Sequence, residues 1–191
     1  SVIARHGSTT FKAVCRVSDT EGWAVGTGGV IYSLSSSSAT QVTSPTIKDL
    51  LAVDCAPGVA LAVGADGAAV RLVNRSWTAV TPFPVAGALL TATRLSTSGA
   101  FVAGDGFFYS LAPTGVWSKL AGKSGLPSLV VRGPQEVYGA FVSGTGTEIF
   151  RFDGSAWGSS LLRLTGALGG GVQTGGGVVW GGTLGAIVEG R

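Results

Sequence analysis

Five segments of this chain begin alike at near-constant intervals. Phe11, Leu50, Leu89, Leu129 and Leu168 open short apolar runs spaced 39, 39, 40 and 39 residues apart. Twelve or thirteen residues further on come AVGTGG (24–29), AVGADG (62–67), VAGDG (102–106), VSGTGT (142–147) and WGGTLG (180–185). Each is followed by a third apolar strand: VIYSL, AAVRLV, FFYSL, EIFRF and GAIVEG. Trp77, Trp117 and Trp157 then recur 40 residues apart at a fixed phase. A unit of about 40 residues with four short strands is the arithmetic of a β-propeller blade, which buries its faces only by stacking on neighbours.

Repeat two displays the grammar of one blade. An inner strand A (50–53) leads to B (59–63), a glycine turn (64–67), C (69–73) and an outer strand D (77–81). Such B–C turns need left-handed backbone, and Asp66 and Asp105 within them are expected to hydrogen-bond the local backbone. Those turns account for 32 glycines in 191 residues, against a usual share of about 7%. The blades are expected at about 11–48, 49–87, 88–127, 128–166, and 167–191 plus 1–10 of a single domain spanning 1–191. Repeat five ends without a strand D, while Val2-Ile3-Ala4-Arg5 has strand character and precedes Phe11 by the usual D-to-A distance. The expected architecture is therefore an all-β, closed, five-bladed propeller. It has four antiparallel strands per blade, and the N-terminal strand completes the last blade so that the ring leaves no open edge. The rival is an arc of a six- to eight-bladed ring, which would leave apolar blade faces bare.

The text GWAVGTGGVIYSL (22–34), LAVGADGAAVRL (61–72) and IFRFDGSAW (149–157) resembles the bacterial-neuraminidase-repeat (Asp-box) and photosystem II assembly-factor type of propeller. In that type a strand ending in Ala-Val-Gly precedes a glycine turn, an Ile/Tyr strand and a Gly-x-x-Trp element. The resemblance covers almost the whole chain, and its motifs specify fold. The box Ser-x-Asp-x-Gly-x-x-Trp is incomplete: 153–157 lacks one spacer, and 74–77 and 113–117 lack the Asp. The resemblance implies a structural box, apart from any active site. Photosystem assembly factors look like larger rings. Five-bladed closure is similar to tachylectin-type lectins, whose longer blades and sugar motifs are not recognisable here.

Composition narrows the function classes. Thirteen Lys and Arg against ten Asp and Glu give a net charge of +3, with no basic stripe, so nucleic acid is not an expected partner. No apolar run reaches the roughly 18 residues of a membrane span. The chain starts at Ser1 and has no methionine, the pattern of a removed leader or of a fragment. Asn74-Arg75-Ser76 is a glycosylation acceptor pattern on a loop, making Asn74 a candidate N-glycosylation site. Cys15 and Cys55 lie 40 residues apart at the ends of neighbouring A strands. They form a disulfide if their backbones approach, and two buried thiols otherwise. A processed start, a sequon and a disulfide together predict an extracellular or luminal location.

Catalytic constellations are sparse. Of the acids only Asp49 and Asp54 flank an inner strand, and the strands expected to line the channel (FKAV, LLAV, LLTA, LVVR, LGGG) add only Lys12 and Arg132 as charges. A two-carboxylate site drawn from different blades is hard to build from that set, which leaves a glycoside hydrolase as a remote reading. His6 is the single histidine and sits in a terminal loop context. The glycine turns join strands and open no helix, unlike a phosphate-binding loop. No cofactor or metal is expected. The reading is a non-catalytic binding or scaffold module for protein partners. The alternative is a multivalent lectin that binds glycans through Trp23, Trp77, Trp117, Trp157 and Trp180, residues that otherwise serve core packing. Phe83, Pro84, Lys123 and Arg132 are the candidate interaction surface, with Phe83 alternatively packed between blades.

Overall fold

A computed structural model describes residues 9–104, 106–123, 126–143, 146–166, 168–173, 178–182 and 187–190, the last segments beyond Leu168 by backbone alone. Four antiparallel sheets of four strands each follow one another along the chain. The first comprises β1 (Phe11–Arg16), β2 (Gly22–Gly26), β3 (Ile31–Leu34) and β4 (Ala39–Val42). The second holds β5 (Leu50–Ala56), β6 (Val59–Gly64), β7 (Ala69–Val73) and β8 (Ser76–Ala79). The third holds β9 (Leu90–Ser96), β10 (Gly99–Gly104), β11 (Phe107–Leu111) and β12 (Trp117–Lys119), and the fourth β13 (Leu126–Gly133), β14 (Glu136–Ser143), β15 (Gly146–Phe152) and β16 (Leu162–Thr165). A fifth sheet has three strands among the described residues, β17 (Leu168–Gln173), β18 (Val178–Gly182) and β19 (Ile187–Gly190), where four were expected. The strand assigned to 1–5 lies outside the described residues, as do His6 and Asp105.

The inner strands β1, β5, β9, β13 and β17 lie side by side in that order, so each sheet packs face to face on the next. Both faces are buried, which is why the B strands read as unbroken apolar runs. In β6, Leu61 and Val63 face the third sheet, while Ala60 and Ala62 face the first. Among the described residues the core is thus divided into slices, one per blade interface. Val25, Ile31 and Leu50 fill the first; Leu90, Val102 and Leu111 the second; Phe108, Leu129 and Phe152 the third; Ile149 and Leu168 the fourth.

Glycine closes each B strand against the start of A in the first three blades. A Cβ on Gly26, Gly64 or Gly104 would collide with the carbonyl of Thr10, Asp49 or Leu89 respectively. The B–C turn is a single 3-10 turn at Thr27–Gly29 and at Ala65–Gly67, with Gly28 and Asp66 in the left-handed region (φ 65° and 53°). The local backbone bond expected of Asp66 is not made; its Oδ2 instead accepts from Lys48 Nζ at 2.6 Å, tying the turn to the incoming connection. The fourth blade departs from the repeat in its outer strand. Trp157 makes only an isolated bridge to Phe152, and β16 begins five residues later, at Leu162. Asp153 diverts the chain here by accepting from Ala156 N and Ser155 N (both 2.9 Å) and Ser155 Oγ (2.8 Å). Those donors lower its pKa to about 2, in the order Ala156, Ser155 amide, Ser155 hydroxyl.

Candidate functional site: an inter-blade cleft on one face

Alternation of strand direction sends the A–B and C–D turns to one face of the array and the B–C and D–A connections to the other. The A–B and C–D face carries a cleft of about 750 Å³ that spans blades two, three and four. Its walls are apolar: Val59, Leu61 and Val73 from blade two, Leu95 and Leu111 from blade three, and Val131 from blade four. Ser96 and Thr97 supply hydroxyls at the rim, and among the described residues the charged lining is Arg71 and Arg132. The size is that of a small-ligand or peptide cleft, which runs from about 300 to 1,000 Å³.

Arg71 stands on β7 directly across from Leu61, so both side chains leave the same face of the sheet, toward blade three. Its Nη1 donates to the Pro113 carbonyl at 2.7 Å, bridging the two blades. The Nε is shielded from solvent and has no partner. No carboxylate lies within 4 Å of this guanidinium among the described residues, whose ion pairs are Arg16–Asp19, Lys48–Asp66, Arg132–Glu136 and Arg163–Glu148. Arg132 is in contrast neutralised. Its Nη1 meets Glu136 Oε1 at 3.2 Å, with the two side chains 30% and 33% exposed, and that carboxylate also accepts from Tyr138 Oη at 2.9 Å. Sequence reasoning passed over Arg71 because it sits inside an apolar strand. The available signal was the repeat itself: the equivalent positions in blades one and three are Ser33 and Ser110.

The four residues expected to share a surface do not. Phe83 is 8% exposed and belongs to the core slice between blades two and three. Its ring packs edge-on against Tyr109, Trp117 and Phe107 at centroid distances of 4.7, 5.1 and 6.4 Å. Of the two readings of Phe83, packing between blades holds and exposed contact does not, because the D–A connection folds inward there, over Gly67, whose amide donates to the Ala88 carbonyl at 2.7 Å. Pro84 is exposed on that same connection. Lys123 lies over the Phe150 ring at 3.6 Å from its centroid, in the D–A connection that follows blade three. Arg132 is on the opposite face, in the cleft. Asn74 is exposed at the C–D turn beside the cleft, where it and Arg75 adopt left-handed backbone (φ 49° and 64°).

The acids near the inner strands act as ties between blades. Asp49 Oδ1 accepts from Gly28 N of blade one at 2.8 Å, and Asp54 Oδ2 from Leu95 N of blade three at 2.7 Å. Glu21 Oε1 accepts from Gly58 N at 3.0 Å. Asp49 and Asp54 lie five residues apart along one strand, about 16 Å, beyond the ~5–9.5 Å that separates glycosidase carboxyl pairs. The phased tryptophans are also committed to construction. Trp117 Nε1 donates to Thr81 O at 2.8 Å and Trp157 Nε1 to Ala121 O at 2.6 Å, each reaching 36 residues back into the preceding connection. Trp23 and Trp77 pack edge-on at 5.3 Å. Cys15 and Cys55 are joined by a disulfide that crosses from β1 to β5, their Cα atoms 5.9 Å apart.

Four-stranded antiparallel sheets stacked through their inner strands define a β-propeller fold. Solved structures agree on that fold. YCF48 bound to D1 peptide superimposes with a TM-score of 0.70 at 14% identity, over 94% of this chain and 64% of that one. U3-55K gives 0.69 at 11%, over 90% and 60%. The computationally designed Ika8 protein gives 0.65 at 12%, over 93% and 69%. No protein-family model matches the chain, and no curated protein matches it by sequence. Among the described residues no helix is long and apolar enough to cross a membrane.

Proposed function

We propose that the chain is a non-catalytic propeller that binds protein, acting as a rigid module in an extracellular or luminal assembly. The observation that carries this reading is the apolar cleft across blades two to four, while the acids Glu21, Asp49 and Asp54 are engaged in blade-to-blade hydrogen bonds. A rigid scaffold that holds turns around a concave apolar surface is suited to recognising an extended segment. YCF48, of the same fold at low identity, is recorded with a bound peptide. The Cys15–Cys55 disulfide supports an oxidising compartment, and Asn74 is proposed as an N-glycosylation site beside the cleft. The ring is proposed to be a single domain closed at five blades, with residues 1–5 as the outer strand of the last. The Asx turn of Asp153 ahead of Trp157 supports kinship with Asp-box propellers.

Parallel screens of a displayed-peptide library and a glycan array test the reading. Saturable peptide binding that is lost on placing Asp at Leu95, with a silent glycan array, is the expected result. Quenching of tryptophan fluorescence by sugars without any peptide binder would establish the lectin instead. Turnover in a hydrolase panel, abolished by Asp49→Ala or Asp54→Ala, would overturn both.

A further inference from the structure

We propose that the cleft recognises an apolar peptide segment bearing an acidic side chain, whose carboxylate is received by Arg71. This rests on the protein-binding reading and adds the chemistry of the partner. The walls specify the apolar part: Val59 and Val73 are exposed at the lip, and Leu61 and Leu111 form a buried floor. The charge is specified by Arg71. It is half-buried between blades and without a carboxylate among the described residues, with Nη1 spent on the Pro113 carbonyl and the Nε donor unpaired. A guanidinium held in a partly desolvated site without an anion is costly, and a carboxylate is its natural acceptor through a charge-assisted N–H···O bond. Arg132, the other charge in the lining, already holds Glu136, and the nearby Asp54 carboxylate is engaged by Leu95 N, so Arg71 is the lining charge with no carboxylate within 4 Å among the described residues. An acidic residue is therefore attracted to one end of the groove and a basic one is repelled there. The exposed Thr97 hydroxyl at the rim offers a partner to a peptide backbone that an acyl chain would leave unused.

Calorimetric titration of the whole chain distinguishes the possibilities. The probes are a short capped peptide of leucine, valine and glutamate, the same peptide with lysine for each glutamate, and sodium dodecanoate. The glutamate peptide is expected to bind at least about tenfold tighter than the lysine peptide, a difference of ~1.4 kcal/mol. Arg71→Gln should erase that preference. Arg71→Lys should restore it only in part, because an ammonium lacks the planar fork. Arg132→Gln should leave the preference intact, and thermal melting of each variant confirms folding. Equal binding of the two peptides, or an unchanged preference in folded Arg71→Gln, overturns the assignment of Arg71 while leaving the protein-binding reading standing. Binding of dodecanoate alone, or of no probe, overturns both.

Discussion

Phe83→Ala tests how the blades are held together. The residue lies in a connection that looks like surface in the sequence, yet its ring closes the slice between blades two and three against Tyr109, Trp117 and Phe107. Truncation removes that ring from a site with 8% exposure and leaves a cavity between the sheets of blades two and three. Phe→Ala changes at such sites cost about 3–5 kcal/mol. For a domain of this size each kcal/mol lowers the melting temperature by ~2–4 °C, so a fall of roughly 8–16 °C is expected for a 4 kcal/mol loss. Differential scanning calorimetry and urea titration read the stability. Trp117 supplies a local reporter, since its indole loses an edge-on partner at 5.1 Å and its emission should shift to longer wavelength. A loss within about 0.5 kcal/mol, the size of an ordinary surface substitution, would refute the placement of Phe83 in the core.

Replacing both Cys15 and Cys55 by Ser should cost about 4 kcal/mol, the chain-entropy value for a loop of 40 residues; an unchanged urea midpoint would show that the inter-blade bridge does not constrain the unfolded chain. Gly64→Ala drives a Cβ into the Asp49 carbonyl and should lose about 3 kcal/mol, whereas Gly133→Ala, with open space around its Cβ, should stay within about 0.5 kcal/mol. The Asp153 carboxyl should titrate near pH 2 in a carbon-detected NMR series, against an ordinary value of 3.8. Because its folded pKa is depressed, whatever stability it contributes is present above pH 3.8 and is lost as pH falls toward 2; a midpoint at 3.8 would remove the Asx turn from the account.

Much of the blade construction was legible in the sequence. The period located β1 to β15 because strands buried on both faces must be apolar throughout and must break at glycine. The fixed phase of Trp117 and Trp157 correctly marked a structural role, and the one-period spacing of Cys15 and Cys55 anticipated their bridge. Two kinds of feature were not legible. The first is where a connection turns inward: nothing in TPFPVAG distinguishes a Phe83 that packs under its own loop from one that projects, since the difference is made by Gly67 and the Tyr109 ring, distant in sequence. The second is the cleft, which belongs to no single repeat. Arg71, Leu95 and Val131 converge only because three blades stack, so residues about 24 and 36 positions apart meet at one surface. Arg132 is expected from sequence on one surface with Pro84 and Lys123, but the alternation of strand direction puts them on opposite faces.

Hydrogen–deuterium exchange of the intact chain with and without the leucine, valine and glutamate peptide shows which face of the propeller a partner occupies. Occupation of the cleft slows exchange at the turns lining it, around residues 56–60, 95–100 and 111–113, and leaves exchange unchanged in the connections at 43–48 and 81–88. Protection confined to those connections, or spread evenly over both faces, would contradict it.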